Sequence, residues 1–110
     1  NKIKKILNVK YLIATTNGTS AIYLALKANG IGYGDEVIIP NITFPATANA
    51  VHMTGAKVVL ADISKNNLLI NLNSLKKNIS KKTKAIIPVH ISGRGNNIQE
   101  IMKIANKKKN

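Results

Sequence analysis

The stretch "IATTNGTSAIYLALKANG", residues 13–30, changes character at its "NGTS". Before that point "YLIATT" (residues 11–16) is apolar and β-branched and reads as a strand; after it, apolar residues recur at helical spacing. Four small polar residues at the joint between strand and helix admit two readings. A plain connector needs a turn and a helix cap, which Asn17 or Thr19 would supply. An anion site needs the same turn plus free backbone N–H groups pointing outward, and the helix dipole then favours negative charge. Gly18 would let a ligand approach the backbone closely, and the Thr19 and Ser20 hydroxyls would add donors, making a phosphate cup. No Gly-Lys pair follows, so this is not the loop that cradles a nucleoside triphosphate.

Outward from this joint the chain alternates strand and helix. In the helix over residues 18–29, Ala21, Leu24, Ala25 and Ala28 form one stripe that is expected to be buried, and Gly30 ends it as a left-handed cap. "DEVIIP" (residues 35–40) is a short apolar run, the mark of a strand covered on both faces. The glycine-rich "GIGYGDE" before it follows a helix and precedes a strand, the reverse of a dinucleotide fingerprint, and reads as a connector. "TFPATANAVHMTG" predicts a helix with Pro45 in its first turn and Gly55 as its stop. "AKVVLADI" (residues 56–63) predicts a third strand, and Asn71 caps a helix carrying Leu72, Leu75 and Ile79 on one side. "KAIIPVHI" (residues 84–91) predicts a fourth strand, and after "SGRGNN" a last helix aligns Ile98, Ile101, Met102 and Ala105. Such alternation predicts an α/β fold, a three-layer sandwich of one parallel sheet between helices, with no internal domain boundary over residues 1–110.

Ligands of such sheets lie beyond the carboxyl ends of the strands, which singles out "NGTS", "PNITFP", "DISKNN" and "HISGRGNN". Phe44, the single phenylalanine, follows a strand end beside Pro45; its ring could lie on a planar ligand or cover the edge of the sheet. His90 and Arg94 follow another strand end, and the residues alone give neither a role. Histidines and carboxylates show no metal-ligand spacing, no Ser-His-Asp arrangement is readable, and cysteine is absent.

Lys and Arg number 17 against 4 Asp and Glu, a net charge of +13 that invites a nucleic-acid reading. The detail argues otherwise. Arg94 is the lone arginine and aromatics make up 4%, whereas base readout favours arginine and single-strand binding favours stacked aromatics. No apolar run approaches the roughly 20 residues that span a bilayer, and no signal-peptide pattern opens the chain, so the expected setting is cytoplasmic.

In order and spacing, "NGTSAIYLALKANGIGYGDEVIIPNITFPATANAVHMTGAKVVLADI…KKTKAIIPVHISG" closely resembles the start of the DegT/DnrJ/EryC1/StrS family of pyridoxal-phosphate-dependent sugar aminotransferases. The resemblance implies the large domain of a fold-type I transferase, with Gly18, Thr19 and Ser20 holding the phosphate of pyridoxal 5'-phosphate and Phe44 stacking on its ring. It implies transfer of an amino group from glutamate to a keto group of a nucleotide-activated sugar, for amino-sugar and polysaccharide biosynthesis, by a homodimer with shared active sites. The lysine that joins the cofactor and the aspartate that pairs with its ring nitrogen belong to later strands, past Asn110, so roughly the first third of such an enzyme is expected here. A dehydratase of the same family would carry a histidine in place of that lysine. The family usually shows an aromatic in the loop after its strand-end histidine, where this chain reads "SGRG". The chain opens on Asn1 rather than Met and stops where another strand is due, which suggests a piece that alone would be unstable and inactive.

Overall fold

The computed structural model describes residues 2–107. Three parallel strands, β1 (Glu36–Pro40), β2 (Lys57–Ala61) and β3 (Thr83–Ile86), form a sheet in the order β2-β1-β3. β1 lies in the middle and alternates its side chains between two cores. Val37 and Ile39 face a cluster with Leu26, Ile31, Val51 and Ala56, while Ile38 faces Ala61, Ile70, Leu75, Ile101 and Ile104. A strand buried on both faces needs apolar residues at every position, which is what "VIIP" supplies.

The α-helices among the described residues are α1 (Lys2–Ile6), α2 (Gly18–Ala28), α3 (Pro45–Thr54), α4 (Leu72–Asn78) and α5 (Ile98–Lys107); α1 buries no residue, and the other four flank the sheet. α2 and α3 supply Leu26 and Val51 to the first core, and α4 and α5 supply Leu75, Ile101 and Ile104 to the second. This is the expected three-layer α/β sandwich. The local punctuation of the sequence holds as well. The Asn17 and Asn71 side chains cap α2 and α4, Pro45 opens α3, and Gly30 and Gly55 follow α2 and α3 with φ of 72° and 86°. In the connector the Gly32 amide donates to Asp35 Oδ2 at 3.0 Å, which tightens the turn into β1. Glu100, in the first turn of α5, has its carboxyl held below the ordinary range by a hydrogen bond from Lys103.

Four expectations fail. Residues 11–16 form neither helix nor strand and have no ladder partner among the described residues; Tyr11 and Ile13 are 76% and 75% exposed. Apolar β-branched composition makes a segment fit a sheet, but only a neighbouring strand makes it one. The stripe of Ala21, Leu24, Ala25 and Ala28 faces outward instead of inward, and α2 buries Leu26 with Ile22 packed beside it. On α5 the buried pair is Ile101 and Ile104, whereas Ile98 and Met102 are exposed along a groove beside β3. The fourth strand is also shorter than expected. One more bond, from the Ile87 amide to the Ile38 carbonyl at 2.9 Å, extends the pairing, and Pro88 has no N–H to continue it.

Leu75 is fully buried between α4 and the sheet, whereas Leu60 is 58% exposed. Leu75→Ala is expected to lower stability by about 2–5 kcal/mol and Leu60→Ala by less than about 0.5 kcal/mol, read from denaturant unfolding of the complete protein.

Candidate functional site

The site begins with the way α2 and α3 share one core. The carbonyl of Thr54 at the end of α3 lies 3.5 Å from where a Cβ on Gly32 would be, and a Cβ on Gly55 would lie 3.5 Å from the Tyr33 amide. The carboxyl ends of both helices therefore meet the connector that enters β1. Their amino ends share the opposite end of the sheet, the end at which parallel strands finish. Gly18–Ser20 and Phe44 are thereby gathered at one end of the molecule, from two segments 24 or more residues apart in the chain.

At the start of α2 the two readings of "NGTS" coexist. Asn17 is the cap: its Oδ1 accepts the Ser20 amide at 2.8 Å. The Ser20 hydroxyl pairs with the Thr16 hydroxyl at 3.3 Å, and Thr15 Oγ1 donates to the Asn17 carbonyl. Among the described residues no partner engages the amides of Gly18 and Thr19. A cup at this helix start thus offers two free amides, not three. A Cβ on Gly18 would meet nothing within 4 Å, and its backbone does not adopt a left-handed φ, so neither packing nor conformation demands glycine there. What the missing side chain leaves is open approach to the two amides.

Phe44 is 77% exposed at the start of α3, with φ of −67° and ψ of 140°. That excludes the reading in which its ring covers the sheet. The segment beneath it is anchored by a 2.8 Å bond between the hydroxyls of Thr43 and the buried Thr47. A flat apolar face fixed at its base and left in solvent is suited to stacking. The residues fit pyridoxal phosphate in both its parts: free amides at a helix start for the dianionic phosphate and a rigid aromatic for the ring.

The other strand ends are used differently. At the end of β2 the Asp62 amide donates to Ser74 Oγ at 2.9 Å, which ties that loop to α4. Arg94 Nη1 donates to the Asn67 carbonyl at 3.3 Å, so this side chain links two loops. His90, exposed after β3, accepts the Asn96 amide on Nδ1 at 2.9 Å. That contact was not legible in the sequence, since the five-residue loop between its partners carries no regular signal. Among the described residues no group of three metal-ligating side chains comes together.

The family model described as the DegT/DnrJ/EryC1/StrS aminotransferase family matches residues 1–109. The chain belongs to this family. Among DegT-family relatives, the chain is 42% identical over 95 residues to GDP-perosamine synthase of Vibrio cholerae, which covers 86% of this chain and 26% of that protein. It is 41% identical over 103 residues to the 3-oxo-glucose-6-phosphate:glutamate aminotransferase of Bacillus subtilis, covering 94% of this chain and 23% of that one. The crystal structure of NtdA from Bacillus subtilis, with bound cofactor PMP, superimposes on 97% of this chain and 25% of its own with a TM-score of 0.94 at 39% identity. The fold is therefore that of the fold-type I aminotransferases of the DegT family. The chain spans about a quarter of the length of the relatives it matches, less than the third expected from sequence.

Asn17→Ala is expected to lower stability by about 1 kcal/mol, whereas Asn17→Asp, an equally good cap, leaves it unchanged or slightly raised; thermal unfolding of the complete protein reads both.

Proposed function

We propose that this chain is the cofactor-cradling part of a pyridoxal-phosphate-dependent aminotransferase acting on a nucleotide-activated keto sugar, with glutamate as amino donor. The observation that carries it is the pairing of two free amides at Gly18 and Thr19 with an exposed Phe44 at the same end of the sheet. Family membership and the names of relatives that make perosamine or use glutamate support the same reading. Amino-sugar and polysaccharide biosynthesis, a homodimer and a cytoplasmic setting belong to the proposal. No helix among the described residues is long and apolar enough to cross a membrane.

Bound pyridoxal phosphate would supply the electron-withdrawing ring that lets an amino group pass from one substrate to the other. The work of this chain is binding and orientation. The Gly18 and Thr19 amides and the Thr19 hydroxyl would hold the phosphate, at a helix start that already carries partial positive charge. Ser20 acts from behind: its amide and hydroxyl, bound to Asn17 and Thr16, keep the first turn in shape. Phe44 would lie against the ring, on a segment that the Thr43–Thr47 bond anchors. Two points of attachment would orient the cofactor as well as bind it.

Asn17→Asp and Phe44→Ala in the complete protein test this reading by spectroscopic titration with pyridoxal phosphate. The new carboxylate beside the phosphate is expected to weaken binding at least about tenfold although the helix is no less stable. Loss of the Phe44 ring is expected to weaken it up to about tenfold. Unchanged affinity in both variants would contradict the proposal.

A further inference from the structure

The loop after β3 is built more tightly than an exposed loop requires. β1 and β3 are neighbours, yet the chain leaves β1 for α3 on one face of the sheet and β3 for α5 on the other. Two adjacent strands whose exits diverge leave a crevice at their carboxyl ends, the place where open α/β sheets take their ligands. The β1 exit carries Phe44; the β3 exit carries His90.

His90 is held in one protonation pattern by partners of fixed character. The Asn96 backbone N–H can only donate, and it points at Nδ1 from 2.9 Å, so Nδ1 must accept and the ring proton lies on Nε2. The Asn96 side chain is fixed in the same way. The Val89 carbonyl can only accept, so the amide nitrogen, 2.7 Å away, must face it. That leaves Asn96 Oδ1 buried without a partner among the described residues. The turn between the two residues carries strain as well: Ser92 and Gly93 are consecutively left-handed, with φ of 50° and 76°, and only the glycine adopts that freely. Arg94 adds a tie from this turn to the Asn67 carbonyl. Strain and an unpartnered acceptor collected around one exposed imidazole mark a functional position. The second histidine, His52, lies exposed in the last turn of α3 with no side-chain bond among the described residues.

We propose that His90 orients the substrate: the Asn96 clamp presents its Nε2–H as a fixed donor to a substrate oxygen in the crevice between β1 and β3. The proposal rests on the aminotransferase reading, and the acceptor is either a carboxylate oxygen of the amino donor or an oxygen of the keto sugar. The two half-reactions tell these apart, since each uses one substrate alone.

Two substitutions separate the outer nitrogen from the inner one. In His90→Asn the shorter amide can still accept from Asn96, but the outer donor is gone. In His90→Gln the amide reaches the outer edge of the ring's place, but the inner acceptor is lost. In the complete protein, His90→Asn is expected to raise KM about tenfold or more in one half-reaction, with pyridoxal-phosphate affinity and kcat within about twofold of wild type, and His90→Gln to recover part of that loss. Nitrogen-15 spectra of the histidine rings, with His90→Gln assigning the resonance, are expected to show a bare Nδ1 and a protonated Nε2 that shifts when the affected substrate is added. Wild-type KM for both substrates in His90→Asn, or a proton on Nδ1 in the cofactor-bound protein, would overturn the inference. Wild-type protein that takes up no pyridoxal phosphate overturns the proposed function instead, and the position of the ring proton then decides for or against the clamp.

Discussion

The side-by-side packing of α2 and α3 against one face of β1 is the constraint on which the rest of the structure depends. Leu26, Ile31, Val37, Ile39, Val51 and Ala56 close a single core, and the connector into β1 touches the end of α3 at Gly32, Tyr33 and Gly55. Helices joined in this way cannot run in opposite directions. Both amino termini must emerge where the parallel strands end, so burial of apolar side chains determines where the two helix starts lie. Neither helix start would form a two-point site alone. The hydrophobic core sets their common direction, and the dipole, the free amides and the ring follow from it.

Local signals in the sequence translated well because the forces behind them are local. A cap is a bond between residues three apart, as from Asn17 to Ser20 or Asn71 to Ser74, and a left-handed glycine answers to its own backbone. The run from Val37 to Ile39 was legible for another reason: unbroken apolar character in so short a segment leaves few places but the centre of a sheet. Which side of a helix turns inward was less legible. In "AIYLALKA" nearly every position is apolar, so no polar face chooses for the helix, and Ile22 and Leu26 turn inward where the row of Ala21, Leu24, Ala25 and Ala28 was expected. "YLIATT" shows the limit from the other direction. Its residues suit a strand, but a strand is a relation between two segments, and none of the described residues offers the second.

The candidate site divides along the same line. Gly18, Thr19, Ser20 and Phe44 could be singled out because turn chemistry and an isolated aromatic are visible in a string of letters. Their convergence at one end of the sheet needed the fold. That the Ser20 amide is spent on the turn while the Thr19 amide has no partner among the described residues needed the hydrogen bonds. His90 lay further out of reach, because Asn96 finds it across an irregular, partly left-handed loop. Sequence showed a histidine at a strand end; only geometry shows which of its nitrogens holds the proton.

A crystal structure of the complete polypeptide with pyridoxal phosphate bound is the most direct test of the account. The phosphate oxygens are expected within hydrogen-bonding distance of the Gly18 and Thr19 amides, with the ring lying against Phe44 and the Ser20 amide still on Asn17. A phosphate held elsewhere, with the start of α2 facing bare solvent, would contradict it.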